Sequence, residues 1–122
     1  LDLNVPLDIS HTYVGDLVVS LQHVETNTTV KLLDRPGYDP NPLGCKRADI
    51  QAILDDEADT LAEDMCNPKP PAITGRVIPN QPLSDFDGQS TYGSWRLIIS
   101  DRISQDGGAL NNWCLTFETT GP

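Results

Sequence analysis

Positive charge is scarce in this chain: eight Lys and Arg stand against eighteen Asp and Glu, for a formal net charge of −10 over 122 residues. Such a field repels nucleic acid and anionic membranes, and it favours hard cations such as calcium, which take carboxylate and carbonyl oxygens. Helical periodicity is almost absent, and no segment has the length and apolarity of a membrane-spanning helix. No signal peptide is visible, because Leu1 opens directly into what reads as a strand; this is expected of a mature or excised fragment. No C-x-x-C pair occurs, and both histidines lie far from the cysteines in sequence, so a zinc site is poorly supported. The chain has no Gly-x-Ser-x-Gly elbow, no P-loop, no dinucleotide fingerprint and no EF-hand loop. Repeats and low-complexity blocks are missing as well.

What is present is a series of short strands separated by turns. Leu3, Val5, Leu7 and Ile9 alternate with polar residues, and Pro6 predicts an edge position or a bulge, since it cannot donate to a ladder. Residues 16–21 and 30–33 read as a hairpin around the polar turn Glu25-Thr26-Asn27-Thr28. Further strands are expected at 50–54, 73–77, 95–99 and 114–117, with Gly107 and Gly108 in a turn. Two long loops, 34–46 and 58–72, are rich in Pro; the second carries a weak helical turn at 60–64. The length suits one domain with its own core, and the pattern predicts an all-β sandwich of two packed sheets.

Three cysteines are present. Cys45 and Cys66 flank one loop-rich segment, and a disulfide between them is predicted; a loop of that length would gain roughly 3 kcal/mol from closure. The pairing implies an oxidising compartment, hence export. Cys114, beside Trp113 in an apolar run, is expected to be a buried thiol, the alternative being a bond to a cysteine elsewhere in a parent chain.

The acidic residues at strand ends are the main candidates for a site. Asp16 precedes a strand, Asp49 opens one, Asp55, Asp56 and Glu57 close it, and Asp101 ends another. A calcium ion held by some of Asp16, Asp49, Asp55, Asp56 and Asp101 at one end of the sandwich would relieve their mutual repulsion. The competing reading has Asp16 and Asp101 accepting from backbone N–H groups of turns, and the acidic triplet simply solvated. His11 is expected to be a packed or hydrogen-bonded turn residue, and His23 to be surface. Trp95 and Trp113 are assigned to core or sheet-edge packing, an exposed platform for sugar rings being the alternative, while Tyr13, Tyr38 and Tyr92 are candidates for surface contact, Tyr38 and Tyr92 with a glycan or polymer. Asn27-Thr28-Thr29 is a glycosylation sequon that matters only in a eukaryotic secretory host.

Nearly the whole chain resembles the P domain (P/Homo B domain) of proprotein convertases and of bacterial secreted subtilisin-like proteases. The residues that carry the resemblance run in order: Val5-Pro6-Leu7-Asp8-Ile9, the stretch from His11 through Val14-Gly15-Asp16-Leu17, Asp49-Ile50, Leu54-Asp55-Asp56-Glu57-Ala58, Pro82-Leu83-Ser84-Asp85-Phe86-Asp87-Gly88, Gly93-Ser94-Trp95 and Gly108-Ala109-Leu110-Asn111-Asn112-Trp113. The segment from Cys45 to Cys66 resembles the bacterial branch more than the convertases. The resemblance implies a non-catalytic jelly roll of about eight strands in two antiparallel sheets, excised from a secreted protein and monomeric by itself. It further implies packing against an adjacent catalytic domain in the same chain, an influence on calcium and pH dependence, and structural calcium, with Asp16 matching the family's turn aspartate.

Overall fold

A computed structural model of the chain describes residues 2–37, 44–101 and 108–118. Eight strands follow in chain order: β1 Asp2–His11, β2 Leu17–His23, β3 Thr28–Asp34, β4 Ile50–Leu54, β5 Ile73–Val77, β6 Trp95–Asp101, β7 Gly108–Trp113 and β8 Thr116–Glu118. One sheet has the order β5-β4-β1-β7, with β8 also on β1; the other has the order β3-β2-β6. Three single 3-10 turns, Val14–Asp16, Ala62–Asp64 and Leu83–Phe86, are the helical elements among the described residues. The architecture is the all-β sandwich expected from the pattern.

The period-two alternation drives the core. In β1, Leu3, Val5, Leu7 and Ile9 turn inward; in β2, Leu17, Val19, Leu21 and His23 do. They meet Leu54, Ile50, Ile73, Leu32 and Phe86 in one apolar cluster. A fully buried Leu, Ile or Phe contributes about 1.5–3 kcal/mol relative to exposure. The larger side chains of this cluster therefore dominate the driving force for folding.

Five expectations are corrected. The sheets are not wholly antiparallel: β4 and β5 pair in parallel, Ile50 to Ile73 through Leu54 to Val77, which the long 55–72 connection permits. β1 is central, not an edge. Pro6 is tolerated because its carbonyl accepts Cys114 N–H at 3.2 Å, in the short break between β7 and β8, so its missing donor faces a gap in the ladder. Gly108 begins β7 and is not in a turn, whereas Gly107 lies outside the described residues. The last predicted strand, 114–117, starts too early: Cys114 and Leu115 form a break, β8 begins at Thr116, and β7 before the break was not expected. Cys114 is exposed: β1 Leu7 pairs with Trp113 and both turn toward the core, so the next residue points out.

The register of β2 on β6 positions everything that follows. Leu17 pairs with Asp101 and His23 with Trp95, so the two ends of this strand pair lie about 20 Å apart.

Candidate functional site

At one end of the sandwich, three elements bring together side chains far apart in sequence. β1 ends at His11, the Val14–Asp16 turn ends at Asp16, and β6 ends at Asp101. One ligand-capable atom from each of the three lies within 4.8 Å of the others. His11 and Asp16 are buried, at 5% and 3% exposure, while Asp101 is exposed. The turn packs so closely on the Cys45 strap that a Cβ on Gly15 would overlap the backbone of Gly44 and Cys45. A Cβ on Gly108 would stand 2.8 Å from the His11 ring, so glycine is required there for β7 to pass. A cavity of about 140 Å³, bordered by Ile9, His11, Leu17, Ile99, Asp101 and Leu110, opens beside the cluster.

The hydrogen bonds assign the His11 tautomer. Tyr13 N–H donates to Nδ1 at 3.1 Å, so Nδ1 bears the lone pair, and Nε2–H donates to Asp101 Oδ2 at 2.8 Å. Asp49 stands behind this group: its Oδ1 accepts His11 N–H at 3.0 Å, and its own N–H returns a bond to His11 O at 3.0 Å.

The remaining predicted carboxylates do not join them. Asp55 and Asp56 follow the far end of β4, five residues beyond the Ile9–Ile50 pairing. Asp55 pairs with Arg76 Nη1 at 2.9 Å and accepts Glu57 N–H at 3.0 Å. Asp56 accepts Leu83 N–H and Ser84 N–H at 2.8 Å each, capping the Leu83–Phe86 turn from a distance because Pro82 offers no cap of its own. Neither Asp55 nor Asp56 is simply solvated. Each holds a connection in place.

The opposite end of β2 carries a second group that the sequence reading missed. His23 is buried, at 1% exposure, and not on the surface, because it continues the inward alternation of Val19 and Leu21. That alternation was the available signal. Nδ1 faces Gln89 Oε1 at 2.9 Å and Nε2 faces the Tyr92 carbonyl at 2.8 Å. The ring stacks on Trp95, centroids 4.1 Å apart and planes within 4°, and Trp95 in turn meets the edge of Phe86. Gln89 and the Tyr92 carbonyl raise the His23 pKa, burial opposes them, and Glu25, 3.7 Å from Nε2, adds to the rise. A second perturbed group, Glu63, is pushed up to about 7, chiefly by burial; N–H donors from Asp34 and Asn80 oppose this, and the charges of Asp34 and Asp64 add to it.

Trp95 and Trp113 are both half-buried against the core, as packing residues would be. Tyr92 is 87% exposed and Tyr13 44%, while Tyr38 lies outside the described residues. The Cys45–Cys66 disulfide is formed, with Cα atoms 5.7 Å apart. It staples the strap that packs on Gly15, next to the His11 end.

Among the described residues, no serine or cysteine side chain bonds to either imidazole. Both rings are engaged in joining strand ends. The chain belongs to the proprotein convertase P-domain family, whose model matches residues 2–117. It is therefore a non-catalytic accessory domain. No curated protein and no solved structure matches the chain.

Proposed function

We propose that this P domain belongs to an exported bacterial protein, a subtilisin-type serine protease, and stabilises or regulates the catalytic domain beside it. The observation that carries the reading is the family match across the whole sandwich, in a fold whose imidazoles face structural partners and not a nucleophile. Exposed Ile98 and Ile99 on β6 and Leu110 on β7 supply apolar surface for such a neighbour. A tethered neighbour is held at high effective concentration, so even modest burial there stabilises both partners. The disulfide supports an exported parent. The test is to delete residues 2–117 from the parent protein. Secreted proteolytic activity and catalytic-domain melting temperature should both fall. Unchanged activity and melting temperature would overturn the reading, as would casein turnover by the isolated chain.

Structural calcium forms part of this proposal. Asp16 and Asp101 are the carboxylates that would hold it, since they alone of the five expected residues share the three-residue group with His11. A hard cation fits carboxylate oxygens better than imidazole, and the His11 Nε2 proton faces Asp101. His11 is thus a holder of Asp101 and not a ligand. Calcium at a hundred times its Kd should raise stability by about 2.7 kcal/mol, and a chelator should reverse it. A melting temperature indifferent to both would remove calcium from the proposal and leave the family assignment standing.

A further inference from the structure

The segment 89–94 has no regular structure, yet the tip of the β2–β3 hairpin grips it at several points. Val24 N–H donates to the Ser94 carbonyl at 2.9 Å, and Ser94 N–H donates to Glu25 Oε2 at 2.7 Å. Gln89 Nε2 donates to Thr28 Oγ1 at 2.9 Å, and Thr26 Oγ1 lies 2.7 Å from Gln89 Oε1. His23 sits at the centre, with both ring nitrogens directed at oxygens of this segment.

A neutral imidazole has one donor and one acceptor, so it can satisfy only one of those two oxygens. An imidazolium satisfies both. Flipping the Gln89 amide would set its oxygen against the Asp85 carbonyl, which Nε2 faces at 3.5 Å, whereas the Thr26 and Thr28 hydroxyls can donate or accept in either orientation. The surroundings favour the cation in two further ways: the ring lies flat on Trp95, a cation–π geometry, and Glu25 stands 3.7 Å from Nε2. The other neighbours are neutral: Thr26, whose Oγ1 lies 3.4 Å from Nδ1, Thr28 from β3, Trp95 from β6, and Gln89 with the Tyr92 carbonyl from the 89–94 side.

We propose that His23 is a proton-operated clasp. Carrying a proton on each ring nitrogen, it pins residues 89–94 to the hairpin; releasing one proton frees that segment and the tyrosine it displays. In the released state a buried lone pair faces an oxygen, one hydrogen bond is lost, and the segment keeps only its links to Val24, Glu25, Thr26 and Thr28. Tyr92, at 87% exposure the most open large hydrophobic side chain among the described residues, is the group whose presentation changes.

The test uses the whole chain. The His23 ring is followed by NMR from pH 5 to 9, and amide exchange is measured alongside, corrected for base catalysis. The ring should titrate above 6.5, the ordinary histidine value. Protection at the Ser94 amide should fall by up to about tenfold across that titration, while amides of β1 and β4 stay level. Gln89→Leu, which removes one acceptor, should lower the titration midpoint. A native ring titrating at or below 6.5, exchange at Ser94 that ignores pH, or a midpoint unmoved by Gln89→Leu would each overturn the clasp.

Discussion

Two histidines end two strands of this sandwich, both almost wholly buried, and their hydrogen bonds have opposite sense. His11 meets one donor and one acceptor, Tyr13 N–H and Asp101 Oδ2, so the neutral ring fits with nothing left over. His23 meets two acceptors, and only the protonated ring fits. Burial by itself disfavours the charged form of His23. The difference shows that the polarity of the partners, more than depth, decides what a buried imidazole does. One end of the domain is a fixed joint and the other is a joint that a proton closes and its loss opens.

The comparison can be broken most severely at the fixed end. Replacing Cys45 and Cys66 together by serine removes the staple on the strap behind Gly15, and should cost about 3 kcal/mol in a urea titration. A loss much below that would mean that packing of Gly15 on Cys45 holds the end without the bridge. A smaller effect is expected from Asp101→Asn, which weakens a charge-assisted bond to a buried ring; about 1–2 kcal/mol should be lost, with the His23 titration unmoved. Movement of the His23 midpoint in that variant would show that the two ends are not independent.

The smallest and sharpest prediction concerns pH. The folded pKa of Glu63 lies above its unfolded value, 4.5 rising to about 7. Its favourable contribution is therefore complete below 4.5 and is lost as pH climbs from 4.5 to 7. Glu63→Gln keeps an acceptor for Asp34 and Asn80 without the charge. The variant should gain about 1 kcal/mol at pH 8, discounted for partial exposure, and nothing at pH 4. Equal thermal midpoints at pH 8 would refute it. His23 tilts the same way: its raised pKa gives stability that is complete below 6.5 and lost as pH rises through the folded value. The domain as a whole should thus favour mildly acidic conditions.

Most of the strand plan was legible in sequence because alternation of apolar residues is local. β4 and β5 fall at 50–54 and 73–77, as that pattern places them, and the hairpin turn lies at 24–27. β7 was not legible, since Gly108-Ala109-Leu110-Asn111-Asn112-Trp113 has little β-branched content and is held by pairing to β1. The site was half legible. Asp16 and Asp101 were marked by their places at strand ends, but Asp55 and Asp56 looked equivalent to them. What separates them is which end of β4 they occupy and which donors they find there, and neither is written in the local sequence.

The amino-acid order alone determined the class of fold, the core faces, the disulfide and the family, because each rests on period-two patterning or on residue types in a fixed order along the chain. Only the tertiary structure decided what His11, His23, Asp55 and Asp56 do. A titratable side chain takes its role from the donors and acceptors that face it, and here each has at least one such partner on a strand or turn 20 to 90 residues away.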